Sequence, residues 1–269
     1  MTEPYYTSGE HLRAKHRLAQ AESGRSFPHW ALHLVPLRAN ANYLDAGAGW
    51  GRFTWAMVDD YGVAPEQIVA SDYSTGMLRT ARDEAVERAT RLNVCTADIA
   101  ALPLHSHSFD GVWANHVLYH VADLPRGIRE LARVLRPGGW LLATTNSDDV
   151  RVPLIELHYL ALEALKIAYV PEPPSPFSME NGAALLRASF REVQTHIYED
   201  EVIYADADQF ATTYANMGRY RNVLASDDVR LDAKEKLLPT FKQLAADLIQ
   251  HEGALRAQVL MCAFVCTEP

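Results

Sequence analysis

The segment Tyr43-Leu44-Asp45-Ala46-Gly47-Ala48-Gly49-Trp50-Gly51-Arg52-Phe53 constrains the fold more than any other part of the chain. An apolar run ends at Asp45-Ala46, three glycines alternate at 47, 49 and 51, and an apolar segment resumes at Phe53. That order reads as strand, tight turn, helix. Glycine turns without steric cost and lets a ligand approach the backbone. The helix that follows turns its free N–H groups and positive dipole end toward whatever occupies the turn. Arg52 stands where the third glycine of a dinucleotide fingerprint would be, and the Gly-Lys-Ser/Thr of a phosphate loop is absent. Asp45, two places before the first glycine, would repel a phosphate and suits a cationic ligand.

Downstream, Gln67-Ile68-Val69-Ala70-Ser71 is a short apolar run ending in Asp72. In open α/β sheets ligands bind at the carboxyl ends of strands. An acidic residue roughly 20 positions past the glycine turn is placed to accept both ribose hydroxyls of a nucleoside. Asp72 also fits as a helix cap, because Tyr73-Ser74-Thr75 and Met77-Leu78 open the next helix. Leu92 to Thr96 is a third apolar run, followed by Ala97-Asp98-Ile99. Phe109 to Ala114 is a fourth strand, leading into Asn115-His116-Val117-Leu118-Tyr119-His120. An amphipathic helix from Leu124 to Leu135 is stopped by Arg136-Pro137-Gly138-Gly139, and Trp140 to Thr145 is the fifth strand. Strands alternating with helices imply a parallel sheet with right-handed crossovers.

The pattern D-x-G-x-G-x-G, then Asp72, then Asp98-Ile99, then the blocks ALPLHSHSFDGVWANHVLYHV and LARVLRPGGWLLATT, resembles the class I S-adenosylmethionine (SAM)-dependent methyltransferases. Within that superfamily it is similar to small-molecule enzymes related to the ubiquinone and menaquinone biosynthesis methyltransferases. The resemblance covers Tyr43 to Asn146. It implies an α/β, Rossmann-like, seven-stranded and mostly parallel sheet with an antiparallel last strand and helices on both faces. It implies a helical cap from the N-terminal segment and from an insertion after the fifth strand. SAM is then the cofactor and S-adenosylhomocysteine (SAH) the product. The cofactor-binding residues it implies are Asp45, Ala46, Gly47, Gly49, Gly51, Asp72, Tyr73, Met77, Asp98, Ile99, Asn115 and His116. Asp98 would accept from the adenine amino group, with Ile99 against the ring.

Methyl transfer is an in-line displacement at a sulfonium carbon, so the protein mainly binds, orients and excludes water. Orientation can supply on the order of 7–11 kcal/mol of barrier reduction. An alcohol acceptor favours a general base, usually histidine, whereas an amine need only reach its neutral form. His116 and His120 are the catalytic candidates, since they follow the fourth strand and would share a face on one helical turn. His120 fits equally as a packing histidine. The pair lacks an adjacent carboxylate at ligand spacing, so no metal is expected. Tyr5, Tyr6, His11 and Tyr119 are candidates for holding the acceptor.

The chain divides into an N-terminal helical cap segment (1–40), a SAM-binding core (41–146), a helical insertion (147–190) and a C-terminal completion of the sheet (191–269). The insertion holds a Leu/Ala-rich helix from Pro153 to Val170, a proline-rich loop, and Phe177-Ser178-Met179-Glu180-Asn181-Gly182. That F-S-x-E-N-G motif resembles a bacterial branch of the same superfamily in which this region forms part of the cap. Further on, Arg191 to Tyr204 reads as a sixth strand, Asp206 to Met217 as a short helix, Asp232 to His251 as an amphipathic helix and Ala257 to Val265 as the last strand.

The 269 residues carry a net charge of −9 with no Lys/Arg cluster, which argues against a nucleic-acid partner. Asn115-His116-Val117-Leu118 also lacks the Pro-Pro-Tyr/Phe of DNA amino-methyltransferases. Cys95, Cys262 and Cys266 are odd in number and dispersed, so a reducing compartment, the cytoplasm, is expected. The same dispersal argues against arsenite methylation. No apolar run is long enough to span a membrane. The function these readings support is methyl transfer from SAM to N or O of a small-molecule acceptor such as a sugar, an amine or another secondary metabolite. A protein methyltransferase and a non-catalytic SAM-binding module are the alternatives. A homodimer is compatible with everything above.

Overall fold

The computed structural model describes residues 24–148, 153–168 and 174–269. β1 (Tyr43–Ala46) is buried at every position, as a strand covered on both faces must be. It lies between β2 (Ile68–Asp72) and β4 (Phe109–Asn115), parallel to both. β3 (Asn93–Thr96) flanks β2, and β5 (Leu135–Asn146) flanks β4, again in parallel. β7 (Leu255–Thr267) runs antiparallel to β5 on one side and to β6 (Glu192–Tyr204) on the other. The seven-stranded order is therefore 3-2-1-4-5-7-6, and the expected mostly parallel sheet with an antiparallel last strand is what forms. The order reverses between β1 and β4, and that crevice is where such sheets bind ligands.

Helices cover both faces. On one lie α1 (Phe27–Leu32), α2 (Arg52–Tyr61) and α3 (Thr75–Glu87), whose buried residues join Tyr43, Trp113, Trp140 and Tyr198 in one core. On the other, α4 (Leu124–Val134) buries Leu124, Ile128, Leu131 and Val134 along one helical stripe. These pack with Leu44, Val112 and Leu141 in a second core. α4 ends at Val134 rather than Leu135, because Leu135 already pairs with Phe109. The Arg136–Gly139 stretch of β5 then bulges out before Trp140 pairs with Gly111.

A third core stands apart. β6 and β7 pair over their full lengths, whereas β5 reaches only to Met261 of β7. The remaining six residues of β7 and their β6 partners project about 20 Å past the carboxyl end of β5. On this ribbon sit α5 (Pro153–Ala164), α7 (Ala207–Ala215), α8 (Gly218–Ala225) and α9 (Leu231–Glu252). Phe210, Tyr214, Leu237 and Phe241 form their common interior with Leu157 and Leu162. α6 (Gly182–Leu186) instead packs under the sheet, with Gly182 against Phe264. The helix expected from Pro153 to Val170 ends at Ala164, and Lys166 follows in a left-handed conformation. α8 is an additional helix, and it begins without a side-chain cap.

Candidate active site

The glycine turn links β1 to α2. Gly47, Gly49 and Gly51 all have positive φ (80°, 57° and 89°), which only glycine adopts freely. Their surroundings differ. A Cβ on Gly47 would strike Val117 at 2.3 Å, whereas one on Gly49 would meet nothing within 4 Å. Gly47 therefore seats the turn against the segment after β4, and Gly49 borders open space where a ligand can reach the backbone. The N–H groups of Gly47 and Ala48 both donate to the Ser71 carbonyl (2.7 and 2.8 Å), tying the turn to the end of β2. Ala46 is buried beneath it.

Asp72 completes that tie. Its Oδ2 accepts from Gly49 N–H and its Oδ1 from Ser74 N–H, both at 2.8 Å. Burial pushes its carboxyl above the ordinary value, and the two N–H donors oppose the rise. Each carboxylate oxygen has further lone-pair capacity, so the same group that anchors the turn could also accept ribose hydroxyls. The cap of α3 is Ser74, which accepts from the N–H of buried Met77 (3.3 Å). Tyr73, beside Asp72, is half exposed. Asp98 follows β3, is exposed, and accepts from Ala100 N–H (2.8 Å), with Ile99 buried next to it.

Asp45 is only 2% exposed and accepts from the Thr54 hydroxyl of α2 (2.7 Å). Burial raises its pKa to about 7, with Thr54 opposing and nearby Asp72 adding to the rise. In this structure it braces the turn from beneath. Arg52, the first residue of α2, has its pKa lowered to about 10 by burial, with Tyr198 acting in the opposite direction.

Asn115 ends β4. Its Oδ1 accepts from the Thr144 hydroxyl (3.1 Å), and its buried Nδ2 has no partner among the described residues. His116 follows at φ 50°, and its N–H donates to the Thr144 carbonyl (3.0 Å). A non-glycine residue held there costs roughly 1–3 kcal/mol, and such residues cluster at functional sites. The ring of His116 packs on Phe27 (5.3 Å), which also touches Tyr198 (5.2 Å). The left-handed turn separates His116 from the 3₁₀ turn Leu118–His120, so His116 and His120 do not share a helix face as expected. His120 is exposed and sits edge-on to half-buried Tyr119 (4.5 Å). Tyr5, Tyr6 and His11 lie outside the described residues.

The carboxyl ends of β1, β2, β3 and β4 thus converge on one crevice. Its orphaned amide donor, open glycine, half-buried Asp72 and exposed Asp98 suit a nucleoside with a charged amino-acid tail. Among the described residues no group of three or more His, Cys, Asp or Glu could hold a metal ion. Cys262 and Cys266 are buried in β7, and burial raises both thiols to about 12, so neither is a ready nucleophile. None of the helices among the described residues is long and apolar enough to cross a membrane. Residues that sequence reading missed are Thr54, Thr144, Val117 and Phe27. Their importance lies in cross-strand and helix–strand neighbours that no local motif marks.

Residues 44–143 match the family described as a methyltransferase domain. Over 145 residues the chain is 35% identical to a malonyl-[acyl-carrier protein] O-methyltransferase of Enterobacter lignolyticus (strain SCF1), covering 48% of this chain and 53% of that protein. It is 29% identical over 143 residues to the methyltransferase GfsG of Streptomyces halstedii, covering 51% of this chain and 50% of that one. The matched region spans about half the length of these curated relatives. In fold, the chain is similar to phosphoethanolamine N-methyltransferase 2 of Haemonchus contortus, solved with phosphomonomethylethanolamine and SAH. That match has a TM-score of 0.53 at 16% identity and covers 91% of this chain and 53% of that one. Residues 44–143 are thus similar to methyltransferase domains, and the seven-stranded sheet that contains them has the Rossmann-like fold of the class I SAM-dependent methyltransferases.

Proposed function

We propose that this protein transfers a methyl group from SAM to an oxygen of an organic acid or a carrier-linked acyl group. The observation that carries this reading is the 35–36% identity to malonyl-[acyl-carrier protein] O-methyltransferases over stretches of 115 to 145 residues. Asp72 would hold the ribose hydroxyls, Asp98 and Ile99 the adenine, and the glycine turn with Asn115 the amino-acid end. SAM itself supplies an activated methyl carbon on a sulfonium sulfur.

A carboxylate acceptor is already nucleophilic, so the chain need only orient it and exclude water. His116, wedged against Phe27, is then an orienting group at the acceptor. A hydroxyl acceptor would instead need a base, and His116 is the residue placed to serve. His120, in the 3₁₀ turn beyond, is exposed. The lobe on the β6–β7 ribbon would close over the acceptor.

The test uses malonyl-coenzyme A as acceptor probe, with matched hydroxyl and amine compounds alongside. Acceptor-dependent SAH formation and a methyl ester seen by mass spectrometry are expected. SAH formation only with amines would replace oxygen by nitrogen as the target. Tight SAH binding with no turnover on any of them would favour a non-catalytic module.

A further inference from the structure

The left-handed residue and the unpaired amide at the end of β4 share one neighbour, Thr144. It stands opposite Asn115 in the β4–β5 register and is fully buried. Its hydroxyl donates to Asn115 Oδ1, and its carbonyl accepts from His116 N–H. The next residue, Thr145, uses its hydroxyl differently, donating to the Phe177 carbonyl of the segment that returns beneath the sheet (2.9 Å). Only the Thr144 side chain faces the crevice network.

As the structure orients it, the Asn115 amide accepts from the Thr144 hydroxyl at Oδ1, and Nδ2 is left as a buried donor that lacks an acceptor among the described residues. Buried polar groups without partners are rare in folded proteins, and each calls for a cause. The donor sits across the strand-order reversal from the glycine turn. The amino and hydroxyl groups of adenosine are donors, and they match the carboxylates of Asp98 and Asp72. The strong acceptor on SAM and SAH alike is the amino-acid carboxylate.

We propose that Thr144 is a positioning residue for cofactor binding. It orients the Asn115 amide so that Nδ2 donates to the cofactor carboxylate, and it holds His116 in its left-handed conformation alongside. The proposal rests on the cofactor reading above.

The test is calorimetric titration of SAH into the unaltered chain and into Thr144→Val, Thr144→Ser, Asn115→Ala and the Asn115→Ala/Thr144→Val double variant. Thermal melts accompany each. Losing one hydrogen bond to a charged group predicts about tenfold weaker binding for Thr144→Val and for Asn115→Ala. Thr144→Ser, which keeps the hydroxyl, restores most of the affinity. The double variant binds no worse than Asn115→Ala, because the hydroxyl acts through the amide. If Thr144→Val does not fold, Thr144→Ala carries the same comparison. Unchanged affinity in the hydroxyl-deleted variant, or fully additive losses in the double variant, would overturn the proposal and leave the cofactor reading standing. Failure of the unaltered chain to bind SAH overturns both.

Discussion

The crevice at the ends of β1–β4 and the lobe on the β6–β7 ribbon are built by different physics. The crevice is held by backbone conformation and short polar bonds: three left-handed glycines, a left-handed histidine, and a carboxylate gripping two N–H groups. The lobe is held by aromatic stacking. Phe241 lies 3.7 Å from Tyr214 and 5.4 Å from Phe210, centroid to centroid. Its buried His158 shares a 2.7 Å hydrogen bond with the Tyr214 hydroxyl, and burial lowers its pKa to about 4, so it packs as a neutral ring. Polar bonds of fixed direction suit recognition of one invariant ligand. Stacked apolar surface can be recut without losing the fold, and that suits the acceptor-facing role proposed for the lobe.

The comparison breaks most readily at Phe241. Phe241→Ala removes a fully buried ring and should lower stability by about 3–5 kcal/mol in chemical denaturation. SAH affinity of the folded variant should stay unchanged. A parallel loss of SAH binding would mean that the two regions are one unit.

Gly47→Ala and Gly49→Ala sharpen the difference within the crevice itself. Both meet the left-handed penalty of roughly 1–2 kcal/mol. Gly47→Ala adds a clash with Val117, worth about 1–3 kcal/mol more. Thermal melts should therefore rank Gly47→Ala as the less stable, and Val117→Ala should relieve it. Gly49→Ala should melt higher yet lose SAH affinity, because its new methyl enters the ligand side. Equal melting points would overturn this division of roles.

A pH-dependent effect concerns Asp45. Its folded pKa, raised by burial to about 7, exceeds the ordinary value of 3.8. Between those values the folded state holds a proton that the unfolded state has released, so stability falls as pH rises from about 4 to about 7. Asp45→Asn should flatten that slope, as read from melting temperature against pH. An unchanged slope would show that Asp45 is not its source.

Much of the crevice was legible in the sequence because it is written in local signals. Glycines at 47, 49 and 51 announce a turn that needs positive φ, and Asp72 and Asp98 close short apolar runs where strands end. The Thr144–Asn115 pair was not legible, since it depends on which strand becomes the neighbour of β4 and in what register. The shared helix face expected for His116 and His120 failed because His116 enters the left-handed region, a choice its neighbours make through the Thr144 carbonyl. In the lobe, α8 escaped notice because it opens with glycine and lacks a capping side chain. The core that holds the lobe together is assembled from helices some 80 residues apart in the chain, α5 and α9.

The projecting ribbon has an evolutionary consequence. Its lobe closes on its own interior and meets the core beneath α1–α3 at Val259, which packs against both. Natural variation can therefore drift, lengthen or recombine the lobe while the sheet ends stay constant. A laboratory graft joined at the Met261 level of β6–β7 and at the end of β5 should give a chimera that keeps its methyl donor and inherits the appetite of the lobe's source.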